Sequence, residues 1–152
     1  MPWAIDTNIL KHFTQPGMPE HAESVRAIRS LWGRGERVTT FAQCLIEFWS
    51  FLTRPSLRDE PNLSNPGLGL SIEMAELELK RVEGLFAVHT DTVILYEEWR
   101  LVLLHKVRGK QVHDTRIAAA AHLHGNTHLL TYNVDDFSRF SPFLIAVRPS
   151  DI

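Results

Sequence analysis

The stretch Trp3-Ala4-Ile5-Asp6-Thr7-Asn8-Ile9-Leu10 passes from three apolar residues through three polar ones, then into apolar residues that recur, with Phe13, at helical spacing. It reads as a short buried strand feeding a helix, which Gln15-Pro16-Gly17 ends. The same order returns further along. Arg37 to Thr40 is β-branched enough for a strand, and Phe41 to Leu52 is a strongly apolar helix. Leu85 to His89 precedes a helix over Asp91 to Val107, and His128 to Thr131 precedes a helical turn over Asp135 to Phe140. Between these units, Glu20 to Trp32 predicts an amphipathic helix, with Ala22, Val25, Ile28, Leu31 and Trp32 opposite Arg26 and Arg29. Ser71 is the expected N-cap of another, with Met74, Leu77 and Val82 inside. Asp114 to His124 predicts a further helix capped by Gly125, and Leu144 to Val147 a last strand. Strands separated by helices predict a three-layer α/β/α fold around a mostly parallel central sheet. Strand order is not encoded in this pattern.

The chain has 152 residues, the size of one domain, and residues 1–152 are expected to form a single one. The segment Thr53 to Leu70, rich in Pro, Gly and Asn, reads as a surface loop rather than a linker. A composition 44% hydrophobic and 22% charged excludes wholesale disorder. The single cysteine, Cys44, excludes an internal disulfide framework and a thiolate zinc site. Apolar runs such as Ile117 to Ala121 are too short to span a bilayer, and Asp6 comes too early for a secretory signal. The expectation is a cytoplasmic protein with no membrane partner. A net charge of −2 argues against gripping nucleic acid by bulk positive charge and leaves that role to local basic patches.

Ligands of such sheets bind beyond the carboxyl ends of the strands. Asp6 and Asn8 follow the first strand, Asn133, Asp135 and Asp136 follow His128 to Thr131, and Asp114 opens the helix before that strand. Each has an ordinary role as helix cap or turn former. Several acids at one sheet edge point further. Gln43, Glu47, Ser50 and Arg54 share a stripe of an otherwise apolar helix, facing either solvent or the crevice, where Glu47 would add a third carboxylate. Gathered carboxylates repel, so one or more stays protonated unless a cation intervenes. All-oxygen coordination with retained waters suits Mg²⁺ or Mn²⁺ rather than zinc. Such an ion orients a phosphate and activates a water, which makes phosphodiester hydrolysis the favoured chemistry. None of the eight histidines falls in a zinc signature. Lys106, Arg108 and Lys110, just before Asp114, offer either phosphate contacts or a solvated loop.

Four blocks in order carry a resemblance: Ile5-Asp6-Thr7-Asn8; the helix Gln43 to Leu52 around Glu47; Val112-His113-Asp114-Thr115-Arg116-Ile117-Ala118-Ala119; and Leu130-Thr131-Tyr132-Asn133-Val134-Asp135-Asp136-Phe137. Together they resemble the PIN domain, specifically the VapC-like toxins of bacterial type II toxin–antitoxin systems. The resemblance implies a Mg²⁺-dependent endoribonuclease with an acidic quartet at Asp6, Glu47, Asp114 and a fourth member at Asn133 or Asp136. Asp6 and Asp114 would ligate the metal directly. Glu47 would act through water or as a base, and Asn8, Thr131 and Asn133 would steady the site. Many relatives carry an acid where this chain has Asn133, so one ion is expected to be held firmly and a second only with substrate. The resemblance also implies a VapB-like antitoxin that blocks the crevice, and a homodimer. Trp32, Phe48, Trp49 and Phe51 are candidates for apolar contact surface, although aromatics at helical spacing usually face a core.

Two other readings compete. One is a metal-dependent nuclease acting on DNA. The other is a catalytically inactive PIN-like module that binds RNA or protein, against which the joint presence of Asp6, Glu47 and Asp114 argues. A phosphatase for small phosphoesters is disfavoured by the lack of an Asp-x-Asp pair and of a phosphate-cradling glycine loop.

Overall fold

The computed structural model describes residues 1–102 and 107–152. Its centre is β1 (Pro2–Ile5), whose Trp3, Ala4 and Ile5 are all buried, as a central strand covered on both faces requires. Around it stand β2 (Arg37–Phe41), β3 (Ala87–His89), β4 (His128–Leu130) and β5 (Ile145–Val147). The spatial order is β3-β2-β1-β4-β5, and every pairing is parallel. Ala4 pairs with Thr39 on one side and Leu129 on the other. From β1 the chain steps outward through β2 to β3, then returns to β4 on the opposite flank and steps out to β5. Right-handed crossovers therefore place helices on both faces of the sheet. The order reverses between β1 and β4, and a crevice opens at the carboxyl ends of strands at such a point.

The helices are α1 (Thr7–Phe13), α2 (Pro19–Gly33), α3 (Ala42–Thr53), α4 (Ile72–Leu85), α5 (Leu95–Val102), α6 (Gln111–Leu123) and α7 (Val134–Phe137). The core joins Ile9 and Leu10 of α1, Ile28 and Leu31 of α2, Phe48 and Leu52 of α3, and the Ile117–Ala121 run of α6. Among the described residues no helix is long and apolar enough to cross a membrane.

The structure corrects several details. The α6 helix starts at Gln111, so Asp114 lies within its first turn and does not cap it. Met74 and Leu77 are exposed, while Ala75 and Val82 make the buried stripe of α4. Leu85 ends that helix rather than opening β3. The helix expected over Asp91 to Val107 starts at Leu95 and is described as far as Val102. Phe48 and Phe51 are core residues, Trp49 is half-buried, and Trp32, though exposed, packs 5.7 Å from the Phe86 ring. Ser71 caps α4 as expected, its side chain accepting from the Met74 amide.

Candidate active site

The site lies at the reversal between β1 and β4. Leaving β1, the chain turns into α1 at Asp6, whose extended backbone makes it the helix cap and whose Oδ1 accepts the Thr7 amide at 2.7 Å. Capping and presentation are thus one role: the same turn buries Asp6 and aims its second oxygen across the strand boundary. There Oδ2 accepts the Thr131 hydroxyl at 2.8 Å and Asn8 Nδ2 at 3.2 Å. Asn8 also bonds Thr131 Oγ1 at 3.1 Å and accepts the Tyr132 amide, while the Asn133 amide donates to Thr131 Oγ1. Thr131, just past β4, therefore ties both strand ends together, and Asn8 and Thr131 hold Asp6 in place.

The third acid arrives from α3. Gln43 and Glu47, one turn apart, face the crevice, while Ser50 further along the stripe is exposed. Thr7 Oγ1 donates to Glu47 Oε2 at 2.7 Å, and Gln43 Nε2 donates to Oε1 at 3.0 Å and to the His113 carbonyl at 3.3 Å. Gln43 thereby links α3 to the first turn of α6, where Asp114 sits. The crevice encloses about 170 Å³, lined by Asp6, Thr7, Asn8, Lys11, Gln43, Glu47, His113, Asp114, Ile117 and Asn133. A larger hollow of about 440 Å³ between α5 and α6 is lined chiefly by apolar residues such as Val93, Leu95 and Trp99. It offers no comparable set of carboxylates, so chemistry rather than volume singles out the smaller one.

Burial raises the Asp6 carboxyl to about 6, against the hydrogen bonds from Thr131 and Thr7 and with a further push from the charge of Glu47. Burial also raises Asp114 to about 6, helped by the charges of Asp136, Asp6 and Glu47. The acids thus feel one another across the crevice.

Of the expected residues, the structure brings together Asp6, Asn8, Glu47, Asp114, Thr131 and Asn133. Asp136 stands near enough to act on Asp114 electrostatically but outside the crevice lining. Arg108 and Lys110 are exposed just before α6 and do not line the crevice, and Lys106 lies outside the described residues. Thr7 and Lys11 are not among the expected site residues, and Gln43 is expected only as part of the α3 stripe that also carries Glu47. Thr7 and Lys11 are four residues apart on α1, a spacing that places both on the face Asn8 shares.

The carboxylates retain capacity for a cation. A carboxylate offers about four acceptor positions. Asp6 uses three of them and Glu47 two, while Asp114 accepts no hydrogen bond from a described residue. This hard oxygen set, with the Asn133 amide at its rim, fits Mg²⁺ or Mn²⁺. Among the described residues no three His, Cys, Asp or Glu side chains are drawn close enough to form a complete ligand group. Waters and substrate oxygens would have to fill the rest of the shell, as Mg²⁺ commonly requires.

No family model matches the chain, and no curated protein matches it in sequence. Solved structures do match its fold. FitAcB from Neisseria gonorrhoeae aligns with a TM-score of 0.68 at 16% identity, covering 99% of each chain. VapBC2 from Rickettsia felis, bound to a DNA fragment from its promoter, aligns with a TM-score of 0.65 at 16% identity over 97% of this chain and 98% of the other. Mycobacterium tuberculosis VapC20, a sarcin-ricin loop cleaving toxin, aligns with a TM-score of 0.61 at 18% identity over 90% and 93%. Superposition of these structures over 90–99% of the chain, at TM-scores of 0.61–0.68, shows that this protein has the PIN-domain fold of the VapC-like toxins.

Proposed function

We propose that this protein is a Mg²⁺-dependent endoribonuclease, the toxin of a VapBC-like type II toxin–antitoxin pair acting in the cytoplasm. The observation that carries the reading is the convergence of Asp6, Glu47 and Asp114 on one crevice at the β1/β4 reversal. The likeness to toxin folds, one of them a sarcin-ricin loop cleaving toxin, supports the substrate class.

Asp6 and Asp114 would hold the ion, with Asn133 or the nearby Asp136 as the fourth polar group. A bound Mg²⁺ or Mn²⁺ would polarise a phosphoryl oxygen and lower the pKa of a water. Glu47 would take the proton of the attacking water, since Thr7 and Gln43 each donate to one of its oxygens and leave a lone pair free on both. Thr131 and Asn8 keep Asp6 from turning away, and Gln43 keeps α3 at a fixed distance from Asp114. A VapB-like antitoxin segment covering the crevice belongs to the same proposal, supported by the toxin–antitoxin complexes among the similar structures, and a homodimeric state is proposed with it.

The test is digestion of a total-RNA pool, transfer RNA included, with Mg²⁺ or Mn²⁺ and again with EDTA. The expected result is a set of discrete, metal-dependent fragments. Asp6→Asn or Asp114→Asn should cut the rate by roughly 10²–10³-fold, the scale of losing a preorganised electrostatic group. A variant as active as the wild-type protein would sink the site, and DNA cleaved in preference to RNA would sink the substrate class.

A further inference from the structure

Lys11 at the acid crevice and Arg54 beside it are two cations that, among the described residues, lie within ion-pair distance of no carboxylate. Lys11 of α1 lines the crevice itself. Its ammonium lies 5.3 Å from the centre of the Phe51 ring, and the guanidinium carbon of Arg54, just past α3, lies 6.0 Å from the same ring. The pair is thus gathered around one aromatic side chain, a contact that favours a cation. Among the described residues neither forms an ion pair, and the Lys11 ammonium donates no hydrogen bond. Arg54 is fixed by neutral groups, Ser50 Oγ at 3.1 Å and Asn65 Oδ1 at 3.3 Å, while its Nε is buried with no hydrogen-bond partner. Burial, and then the like charge of Arg54, holds the Lys11 ammonium below its usual pKa, outweighing the attraction of Glu47 and Asp6. Two positive charges held side by side repel each other, and an anion seated between them relieves that repulsion.

We propose that Lys11 and Arg54 form a phosphate-binding subsite for the RNA backbone next to the phosphate being cleaved, a proposal that rests on the nuclease reading above. A strand seated with one phosphate at Asp6 and Asp114 places a neighbouring phosphate beside Lys11, and α3 carries the path on to Arg54. The strand therefore crosses the face formed by α1 and the end of α3, in addition to any contact with the loop before α6. Phosphate contacts of this kind set position and affinity without reading sequence.

The experiment measures binding of a fluorescent, mixed-sequence, single-stranded RNA to the Asp114→Asn protein in Mg²⁺ over a range of salt concentrations. Lys11→Gln and Arg54→Gln are each added to that background, with Arg29→Gln on the exposed side of α2 as control. Each subsite variant should weaken binding and lower the slope of log affinity against log salt by roughly 0.7, one phosphate contact on a single strand. Lys11→Arg and Arg54→Lys should restore most of the slope. Slopes equal to that of the control variant overturn the subsite while leaving the nuclease reading intact. A parent protein that binds no RNA overturns both. Binding of a hexaglutamate peptide that depends on both cations, with RNA binding unmoved, overturns the proposal in favour of an acidic protein segment.

Discussion

Asp6 shows how one residue can serve fold and chemistry with opposite demands. As a cap it accepts the Thr7 amide, yet burial raises its carboxyl from 3.8 to about 6. A group whose folded pKa is raised contributes stability in full below the unfolded value and loses it as pH climbs through the folded one. In EDTA the contribution of Asp6 is therefore intact near pH 4 and gone by pH 7, and Asp114 moves in the same direction. Asp6→Asn cannot ionise, so its stability relative to the wild-type protein should improve by up to about 3 kcal/mol between those pH values. Urea denaturation at both would show it, and a pH-independent difference would refute it. Asn133 provides a second test at this scale. It lines the crevice, whereas Asp136 only acts on Asp114 from outside it. Asn133→Asp should tighten Mn²⁺ binding in calorimetry, and an unchanged affinity would transfer the fourth role to Asp136.

At the scale of elements, the end of α3 and the loop after it are one unit. The amides of Gly67, Leu68, Gly69 and Leu70 donate to the carbonyls of Pro55, Phe51, Arg54 and Leu52 at 2.8–3.0 Å, satisfying acceptors that the end of a helix leaves open. The approach is close enough that a Cβ on Gly67 would meet the Arg54 carbonyl at 2.7 Å. Gly67→Ala should cost about 1–3 kcal/mol by forcing the loop off the helix. Gly84→Ala in α4, where a Cβ meets nothing, should instead be neutral or stabilise by up to about 1 kcal/mol. Equal effects in denaturant titrations would refute the close approach. Hydrophobic period and Gly-Pro punctuation made this segment legible as helix, then surface loop. Its docking was not legible, because backbone hydrogen bonds to a helix end carry no residue signature. The same limit explains Met74 and Leu77, apolar residues on the exposed side of α4, and the start of α6, which has no side-chain cap to mark it. The acids were legible because carboxylates at strand ends are few. Lys11 was not, since a lysine on a short helix normally reads as surface and only the tertiary position of Phe51 and Arg54 gives it another meaning.

For the whole molecule, carboxylates gathered in one crevice are a local cost that a bound cation would relieve. If the crevice holds the ion as proposed, Mg²⁺ at about 100 times its dissociation constant would add about 2.7 kcal/mol to folding stability. For a chain of this length each kcal/mol raises Tm by roughly 2–4 °C. Adding Mg²⁺ at pH 7 should thus raise Tm by about 5–10 °C in the wild-type protein and far less in Asp114→Asn. Equal shifts in both would place the ion elsewhere.

The hydrogen bond from Thr131 to Asp6 spans 125 positions of the chain. Translation runs in one direction, so a growing polypeptide holds Asp6, Glu47 and Asp114 well before β4 exists to be laid against β1. Until residue 131 has been made and β4 has paired with β1, Asp6 lacks the hydroxyl that holds its second oxygen, so the crevice is finished only when nearly the whole chain has been synthesised.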